Sequence, residues 1–427
     1  MGAAPLSYWQ ASAAPFAHGQ AGAVEGAVDV AIIGGGFTGL SAALACAQGG
    51  ASVALLEADG VMQGASGRNG GQCNAGTAHD FGALASAHGV EAARRWYLAH
   101  CDAVDTVERL VREHAIDADF ARCGRAKLAA KPQHFPKLEA AYRLLAAEVD
   151  PNVMLVPPDQ IRTEVNSPEF HGALVQKTSA RLHVGRFGMG LADAAARVGA
   201  RIWERAPVTG LTRQGAGWRV ETPRGRLTAK QVLVATGGAS PQAPFGWFRR
   251  RIVSVGSFAI ATAPLDDALV DHLFPTRRNY VTSRIIGNYW RLTGDNRLVF
   301  GGRARFALSN PASDLKGAAI LEQAMIRMFP DLAGVGIEHR WGGTIDLTQD
   351  RLPRAGEHDG LFYAMGYSGH GVQMATHMGQ VMARVMGGDP AANPFAGLSW
   401  PAIPGHLGKA WFLPFVGAYY RVQDWLK

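Results

Sequence analysis

The sequence lacks the patterns that mark secreted, membrane-spanning and metal-binding proteins. Its four cysteines, at positions 46, 73, 101 and 123, form no C-x-x-C pair, so we expect reduced structural thiols and no metal site. No basic segment followed by an apolar run precedes residue 28, and no stretch reaches the ~18 apolar residues of a spanning helix. These absences predict a cytoplasmic protein.

Dense runs of one charge are also absent. The net charge is +7, but the longest basic run is the Arg-Arg-Arg of residues 249–251. Scattered basic residues of this kind are typical of a solvated surface, and we expect no nucleic acid partner. The 48% hydrophobic and 18% charged residues are those of a globular protein whose 427 residues allow about two or three domains.

The sequence does contain a strand–turn–helix–strand pattern at residues 28–57, VDVAIIGGGFTGLSAALACAQGGASVALLE. Residues 28–33 fit a buried parallel strand. The glycine triplet at 34–36 turns the chain, and apolar residues then recur at helical spacing. A second buried run, residues 52–56, ends at Glu57. This is the context that a dinucleotide-binding G-x-G-x-x-G motif requires.

Each part of this motif has a physical role. Gly34 permits the tight turn, Gly36 lets the backbone approach a pyrophosphate, and Gly39 lets the helix pack closely on the strand. The helix N-terminus offers N–H groups to the pyrophosphate, and Glu57 can accept hydrogen bonds from ribose hydroxyls. An NAD-dependent reaction would need a second such unit, and the sequence has none.

Three further segments are rich in small residues at turns. Residues 64–72, GASGRNGGQ, predict a loop that forms a second wall of the cofactor site, with an ordinary flexible loop as the alternative. Residues 231–238, QVLVATGG, fit a buried strand that runs into a turn. Residues 366–372, GYSGHGV, open a helix to about Met386, which offers a second helix N-terminus to an electron-rich group.

At these residues the sequence resembles the D-amino-acid-oxidase-like flavoproteins, and within them gamma-glutamylputrescine oxidase and its relatives. The stretches that carry the resemblance are GGGFTGLSAAL (34–44), GASGRNGGQ (64–72), YWRLTGDNRLVFGG (289–302), WGGTIDLTQDRLP (341–353), GYSGHGV (366–372), IPGH (403–406) and YYRVQDWL (419–426). The resemblance implies flavin adenine dinucleotide (FAD) and oxidation of a carbon that bears nitrogen. The sarcosine-oxidase type carries a flavin-linking cysteine on the stretch matching 341–347, and this chain has none, so we expect non-covalent FAD.

The resemblance also implies an α/β fold, with an FAD-binding Rossmann-type, glutathione-reductase-like domain. Strand-like runs in residues 245–340 predict a second, antiparallel-sheet domain that binds the substrate. We assign 28–88, 155–245 and 341–390 to the FAD-binding domain, 89–154 and 246–340 to the substrate-binding domain, 1–27 to an N-terminal arm anchored by Tyr8, Trp9 and Phe16, and 391–427 to a C-terminal segment that packs on the body.

The cofactor contacts that the resemblance implies lie in the glycine-rich segments and in the strand ends between them. They are Gly34, Gly36, Phe37, Thr38, Gly39, Glu57, Ala58, Ala65, Ser66, Asn69, Gly70, Gly71, Gln72, Val208, Thr236, Gly237, Gly343, Gly369, His370, Gly371 and Val372. We further predict that His370 is catalytic, because a histidine beside flavin and substrate can bind a carboxylate or tune the protonation of an amine. A structural turn histidine is the alternative.

The substrate contacts are predicted from residue type. His79, Tyr289, Trp290 and Trp341 are candidates, since aromatic walls exclude water and favour an amine; core packing is the alternative for each. The sarcosine-oxidase type has a lysine three residues after the matching histidine, where this chain has Gln373. We therefore expect a different means of binding a substrate carboxylate.

The predicted reaction is hydride transfer from the carbon next to nitrogen to flavin N5, followed by hydrolysis of the imine. Reoxidation by O2 would release H2O2, and a membrane quinone is the other acceptor. The alternatives left open are a 2-hydroxy-acid dehydrogenase on the same scaffold, a quinone-linked amino-acid dehydrogenase and a non-catalytic flavoprotein subunit.

The C-terminal segment bears on the electron acceptor. Residues 409–427 combine six aromatic residues with Lys409, Arg421 and Lys427, a composition that suits weak contact with a membrane surface. Pro414 interrupts the segment, and we expect its aromatic residues to pack on the protein instead.

Overall fold

The computed structural model describes residues 5–240, 243–302, 307–408 and 410–426. The strands in these ranges are β1 (Ala27–Ile33), β2 (Val53–Leu56), β3 (Gln72–Cys73), β4 (Arg125–Leu128), β5 (Met154–Val156), β6 (Ala173–Gln176), β7 (Ala180–Arg181), β8 (Arg201–Trp203), β9 (Gly210–Gln214), β10 (Gly217–Thr222), β11 (Gly225–Val234), β12 (Val253–Thr262), β13 (Asn279–Thr282), β14 (Asn288–Leu292), β15 (Leu298–Gly302), β16 (Ile337–Leu347), β17 (Arg354–His358) and β18 (Leu361–Met365).

The α-helices of the same ranges are α1 (Tyr8–Ala11), α2 (Phe37–Gln48), α3 (Phe81–His88), α4 (Val90–Glu113), α5 (Phe135–Glu148), α6 (Val184–Arg197), α7 (Gly246–Arg249), α8 (Asp267–Leu273), α9 (Pro311–Met328), α10 (Gly371–Met386) and α11 (Leu413–Leu426). The two helices that the glycine-rich turns predict are present. They are α2, which begins directly after the glycine triplet, and α10, which ends at Met386 as expected.

An eight-stranded sheet contains the dinucleotide motif, in the order β17-β18-β11-β1-β2-β8, with β10 and β9 added beside β11. Its centre is parallel: β1 pairs with β11 and β2, β2 with β8, and β11 with β18. Apolar residues of β1 and β2 are buried on both faces, as a central parallel sheet requires. The predicted Rossmann-type sheet is confirmed.

A second eight-stranded sheet has the order β16-β12-β15-β14-β13-β4-β6-β5 and is antiparallel except for the pair β13–β4. Its own core contains a stack of aromatic rings in which Trp290 lies between Tyr280 and Phe300. Helix α9 packs on this core through Leu321, Met325 and neighbouring residues. The mixed α/β fold with a second, antiparallel sheet is therefore as predicted.

The sheet pairings differ from the segment assignment at three places. Strand β6 and nearly all of β5 fall in the segment 155–245, and much of β16 falls in 341–390, yet all three strands pair in the second sheet. Helix α4 was assigned to the substrate domain, but Trp96, Val104 and Val107 belong to the core that surrounds α2 and α10. An amphipathic pattern shows which helix face is buried and not which sheet buries it.

The C-terminal segment contacts the body, but its aromatic face points outward. Helix α11 begins at Leu413, and Pro414 lies in its first turn, where proline is tolerated. The Asp424 carboxylate accepts hydrogen bonds from the backbone N–H groups of residues 285 and 286, both at 2.8 Å. Trp411, Phe415 and Tyr419 are 66%, 71% and 60% exposed, so the expectation that the aromatic residues pack on the body is wrong for these three. Phe412 is half-buried and packs against His406. Lys409 and Lys427 lie outside the described residues.

Candidate active site

One continuous cavity of about 1640 Å³ lies between the two sheets. It exceeds the roughly 300–1,000 Å³ of a pocket for one small ligand. At one end it is lined by the carboxyl ends of β1, β2 and β11, and at the other by residues of β4, β6 and β14. The cavity thus connects the dinucleotide motif with the second sheet.

Two glycines of the motif lie where the tight turn and the close packing of helix on strand require them. Gly34 has a φ of +114°, and a Cβ there would lie 2.7 Å from the carbonyl oxygen of Ala235. A Cβ at Gly39 would overlap the carbonyl oxygen of Gly34, so glycine is required for close packing of α2 on β1. Gly36 is the N-cap of α2 and offers no side-chain cap. Apart from the N–H of Phe37, which donates to Ser66 Oγ, the first N–H groups of α2 are therefore available to a ligand.

Glu57 closes this end of the cavity. Its carboxylate accepts hydrogen bonds from the backbone N–H of Gly35 at 2.6 Å and of Asp59 at 2.9 Å. Burial raises the pKa of Glu57, and these hydrogen bonds oppose the rise. Further predicted contacts line the same end, namely Phe37, Thr38, Ala58, Val208, Thr236 and Gly237.

The loop 64–72 forms the second wall, and its conformation is fixed by hydrogen bonds. Ser66 Oγ accepts from the backbone N–H of Phe37 at 3.1 Å, which joins the loop to the start of α2. Asn69 Oδ1 accepts from the N–H of Gly71 at 2.8 Å. The predicted loop residues on the cavity surface are Ala65, Ser66, Asn69, Gly70 and Gln72. Gly71 is outside the cavity wall, because its Cα faces the Arg291 guanidinium.

The N-terminal arm supports this loop, which the sequence did not predict. Trp9 Nε1 donates to the carbonyl of Asn69 at 2.6 Å, and Ser7 Oγ donates to the carbonyl of Gly67 at 2.5 Å. Trp9 is almost fully buried, with the Arg291 guanidinium 4.7 Å from its ring centroid. The arm therefore supports the loop from behind and does not itself line the cavity, and only its role as an anchor was expected.

The second helix N-terminus faces the same cavity. His370 is the N-cap of α10 and forms no side-chain capping bond. Gly369 has a φ of +95°, and no atom lies within 4 Å of a Cβ placed at Gly369 or Gly371. Tyr367 Oη and Thr38 Oγ1 are 2.8 Å apart, which connects this turn to α2. The open space and the exposed helix terminus fit an electron-rich group such as a flavin ring.

His370 lines the cavity as a neutral imidazole. Burial lowers its pKa to about 3, with further lowering from the charges of His100 and Arg125. Its Nδ1 atom has no hydrogen-bond partner among the described residues. His370 can therefore form a hydrogen bond with a ligand through Nδ1, but it supplies no positive charge near neutral pH.

Two of the four predicted substrate contacts line the cavity, and two do not. His79 and Tyr289 belong to the wall. Trp290 is fully buried in the aromatic stack of the second sheet, because neighbouring residues of a strand point to opposite faces. Trp341 is also fully buried and donates from Nε1 to the carbonyl of Arg68 at 3.0 Å. The prediction is wrong for Trp290 and Trp341, and Trp341 instead supports the loop 64–72.

Several polar residues that line the cavity were not predicted from the sequence. Burial raises the pKa of Asp346 to about 6, opposed by a 2.7 Å hydrogen bond from the Gly238 N–H. Arg125, Lys127 and Gln176 come from β4 and β6. In Arg-Ala-Lys-Leu (125–128), basic and apolar residues alternate. This alternation predicts a strand with one charged face, and in the structure the apolar residues are buried while the basic residues line the cavity.

Other site types find no support in the described ranges. No helix there combines the length and the apolar character that crossing a bilayer needs. Within the same residues, no group of three or more His, Cys, Asp or Glu side chains is arranged to hold a metal ion.

Comparison with known proteins agrees with this geometry. The family model for FAD dependent oxidoreductases (DAO) matches residues 29–385. Gamma-glutamylputrescine oxidoreductase of Escherichia coli (strain K12) is 31% identical over 423 residues, which cover 98% of this chain and 98% of that protein.

Two solved structures show the same fold. Glycine oxidase from Geobacillus kaustophilus gives a TM-score of 0.72 at 23% identity, covering 89% of this chain and 100% of that one. L-amino acid deaminase from Proteus myxofaciens, in complex with anthranilate, gives 0.72 at 18% identity, covering 92% and 96%. The glycine turn at residues 34–36, the N-terminus of α10 and the matches over most of the chain all indicate the same family. The predicted resemblance is confirmed. The chain belongs to the DAO family of FAD-dependent oxidoreductases and is an enzyme.

Proposed function

We propose that this enzyme oxidises a C–N bond of an amine or amino acid, either a gamma-glutamylated amine or a secondary amino acid. A relative that matches the whole chain is named for gamma-glutamylputrescine. The observation that carries the proposal is the continuity of the cavity. The same cavity is lined by Gly34 and Gly36 of the dinucleotide motif and by His370 and Tyr289.

The three glycine-rich segments would hold FAD, without a covalent bond. Bound FAD supplies the acceptor for a hydride from the carbon next to nitrogen. Residues 341–347 contain no cysteine, and none of the four cysteines belongs to the described cavity wall, which supports non-covalent binding. With the flavin ring beside residues 369–372, the N-terminus of α10 would supply positive potential where negative charge develops on reduction.

The protein's own residues would orient the amine and control its proton. The substrate nitrogen would bind as a neutral amine, and neutral His370 can accept a hydrogen bond at Nδ1 from its N–H and so orient the nitrogen lone pair. Burial raises the pKa of Tyr289, so this phenol remains a neutral wall that excludes water. Water admitted after the oxidation would hydrolyse the imine.

The proposed electron acceptor is O2, with release of H2O2 in the cytoplasm. A membrane quinone is the second candidate, and the exposed face of Trp411, Phe415, Tyr419 and Val422 favours it. Trp411 also lines the cavity, and tryptophan and tyrosine suit a membrane interface. If the protein binds anionic vesicles in low salt and the double variant Phe415→Ser/Tyr419→Ser does not, the quinone route gains support.

Anaerobic loss of flavin colour tests the proposed reaction. The holoenzyme would be mixed with glutamylated diamines, pipecolate and N-methyl amino acids, and in parallel with 2-hydroxy acids. We expect amines to reduce the flavin and hydroxy acids to leave it oxidised. Reduction by hydroxy acids alone would indicate the dehydrogenase alternative, and no reduction by any compound would indicate a non-catalytic flavoprotein.

A further inference from the structure

The carbonyl groups of the loop 64–72 are bound inside the protein. Six consecutive carbonyls, those of residues 65–70, each accept a hydrogen bond. Within the loop, the Arg68 N–H donates to the carbonyl of residue 65 at 3.2 Å, and Asn69 Nδ2 donates to that of residue 66 at 2.7 Å. The donors to the next four carbonyls are Ser7 Oγ, Trp341 Nε1, Trp9 Nε1 and Arg291 Nε, at 2.5, 3.0, 2.6 and 3.1 Å.

Two N–H groups of the same loop are left without an acceptor. Asn69 and Gly70 line the cavity, and no hydrogen bond from either backbone N–H is found among the described residues. In a trans peptide the N–H points away from the carbonyl of the same unit. The two carbonyls in question are bound by Trp341 and Trp9, which are not part of the described cavity wall. The loop therefore offers backbone donors to the cavity, as anion-binding loops do.

A buried cation lies directly behind these donors. Arg291 is 2% exposed, and a Cβ at Gly71 would overlap its Nη2 atom, so the guanidinium packs against the loop backbone. Its Nη2 and Nη1 atoms donate to the carbonyls of Leu182 and Leu292 at 2.7 and 2.9 Å. With Nε bound to the Gly70 carbonyl, each nitrogen of the group has a neutral partner within the protein.

The charge of Arg291 is not compensated by a carboxylate of the described residues. Burial and the neighbouring charge of Arg181 lower the pKa of Arg291 to about 9, so the group is protonated near neutral pH. By contrast, the buried Arg354 is paired with Asp350 at 2.5 Å. An unpaired charge removed from water is costly. A negative charge on the cavity side of the loop would offset that cost.

We propose that Arg291 acts through the loop 64–72 to stabilise negative charge on the flavin ring. The inference rests on the proposed placement of FAD in this cavity. A hydride brings two electrons and one proton to flavin N5, which leaves one negative charge on the ring. The N–H groups of Asn69 and Gly70 can donate to an electron-rich edge of the ring. The Arg291 charge adds a positive potential that buried surroundings screen little.

Arg291 is a positioning residue in this proposal, because it does not belong to the described cavity wall. Its contribution is a full charge, whereas Ser7, Trp9 and Trp341 contribute neutral donors to the same loop. The proposal therefore predicts that one of these four side chains changes the energy of an anionic flavin ring, while the neutral ones change only the position of the loop.

Sulfite titration and redox potentiometry of the holoenzyme test this without substrate. Sulfite donates its sulfur lone pair to flavin N5, and the ring takes up the negative charge, so the Kd for sulfite measures the stabilisation of that charge. We expect Arg291→Gln to raise this Kd about tenfold, the effect of a unit charge about 10 Å away at an effective dielectric constant of about 20. The two-electron midpoint potential should fall by the equivalent of this tenfold change, ~30 mV. The control, Arg143→Gln, changes an arginine that is 71% exposed on α5 and should match the wild type.

Trp9→Phe separates the charge from the support of the loop. This variant removes the hydrogen bond to the Asn69 carbonyl but no charge. We expect its Kd for sulfite to stay within about twofold of the wild type, even where its FAD binding is weaker. If Arg291→Gln binds sulfite no more weakly than Trp9→Phe does, Arg291 only holds the loop and the proposal is overturned.

A second variant decides if Arg291→Gln does not fold or does not hold FAD. Arg291→Lys keeps a charge but cannot reach three carbonyls at once. At about pH 6.5, where a buried lysine is still charged, its Kd for sulfite should stay within about threefold of the wild type. A larger loss would overturn the proposal. Neither measurement uses an amine, so a wild-type flavin that no amine reduces would refute the proposed function and leave these results to decide the role of Arg291.

Discussion

Single glycine positions decide whether the cavity can hold a dinucleotide. Gly34 combines a positive φ with a carbonyl 2.7 Å from its missing Cβ, so both backbone strain and steric overlap oppose any side chain. Gly36 leaves the N-terminus of α2 uncapped by its own side chain. The proposed binding of phosphate thus requires glycine at these two positions.

Gly34→Ala should reduce the FAD bound per chain. The left-handed conformation costs an alanine roughly 1–2 kcal/mol, and displacement of Ala235 would move the turn away from the pyrophosphate. Flavin content after purification and the Kd for added FAD measure the effect. Gly22→Ala is the matched control, since nothing lies within 4 Å of its Cβ. Equal FAD content in the two variants would show that the turn is not the phosphate site.

Buried histidines make stability depend on pH. His100, His183 and His377 have pKa values lowered to about 4, and His370 to about 3, mainly by burial. Below their ordinary pKa of about 6.5 the unfolded chain binds protons that the folded chain does not, so stability falls with pH from about 6.5 toward 4. The raised pKa values of Glu57 and Asp346 have the opposite effect on stability, because the folded chain binds these protons more tightly than the unfolded chain. These are two groups against four histidines.

Melting temperatures between about pH 7.5 and 5 should therefore fall with pH, and less steeply in His377→Gln than in the wild type. His377 packs between α10 and α4, where its Nδ1 is 2.8 Å from Thr106 Oγ1. His18→Gln, at a histidine whose side chain is 60% exposed, is the control. A wild-type melting temperature that does not change with pH would contradict this interpretation.

At the scale of elements, the N-terminal arm supports the loop 64–72, which lines the cavity. Helix α1 begins with a capping box in which Ser7 and Gln10 hydrogen-bond reciprocally. Trp9 then packs into the main core and donates to the loop 64–72. A short helix would be marginal in isolation, so the arm and the loop depend on each other.

Trp9→Ala should destabilise the protein by about 3–5 kcal/mol and weaken FAD binding, since a buried indole and its hydrogen bond are lost together. Trp9→Phe keeps most of the packing and isolates the hydrogen bond. Thermal unfolding with and without added FAD measures both effects. The control is Phe415→Ala, at an exposed aromatic residue outside the cavity wall, with an expected change within about 0.5 kcal/mol. Similar changes in the Trp9 and Phe415 variants would mean that the arm does not support the loop 64–72.

At the scale of the whole molecule, two sheets enclose one cavity, and the residues of the site come from both. Local sequence patterns predicted the two helices that begin at the cavity: the glycine turns at 34–36 and 366–371 each precede the expected helix. Patterns with period 2 and 3.6 are visible in sequence because they depend on neighbouring residues.

The rest depends on pairings between distant segments. Arg125 of β4 lies opposite Gln176 of the neighbouring strand β6, and Trp9 donates a hydrogen bond to the Asn69 carbonyl. The residues of each pair are about 50 to 60 positions apart in the sequence, and no local pattern specifies such contacts. The period of 2 also left open which of Tyr289 and Trp290 faces the core, because both neighbours are aromatic. The segment boundaries likewise did not anticipate that β5, β6 and β16 pair in the second sheet, because strand pairing depends on distant segments.

The most direct test of the central claim, that one cavity holds FAD at one end and substrate at the other, is a crystal structure of the holoenzyme with bound pyrrole-2-carboxylate. The account predicts the pyrophosphate against the N-terminus of α2, the flavin ring beside residues 369–372 and the ligand beside His370 and Tyr289. A flavin bound outside this cavity, or a carboxylate that does not touch the second sheet, would contradict it.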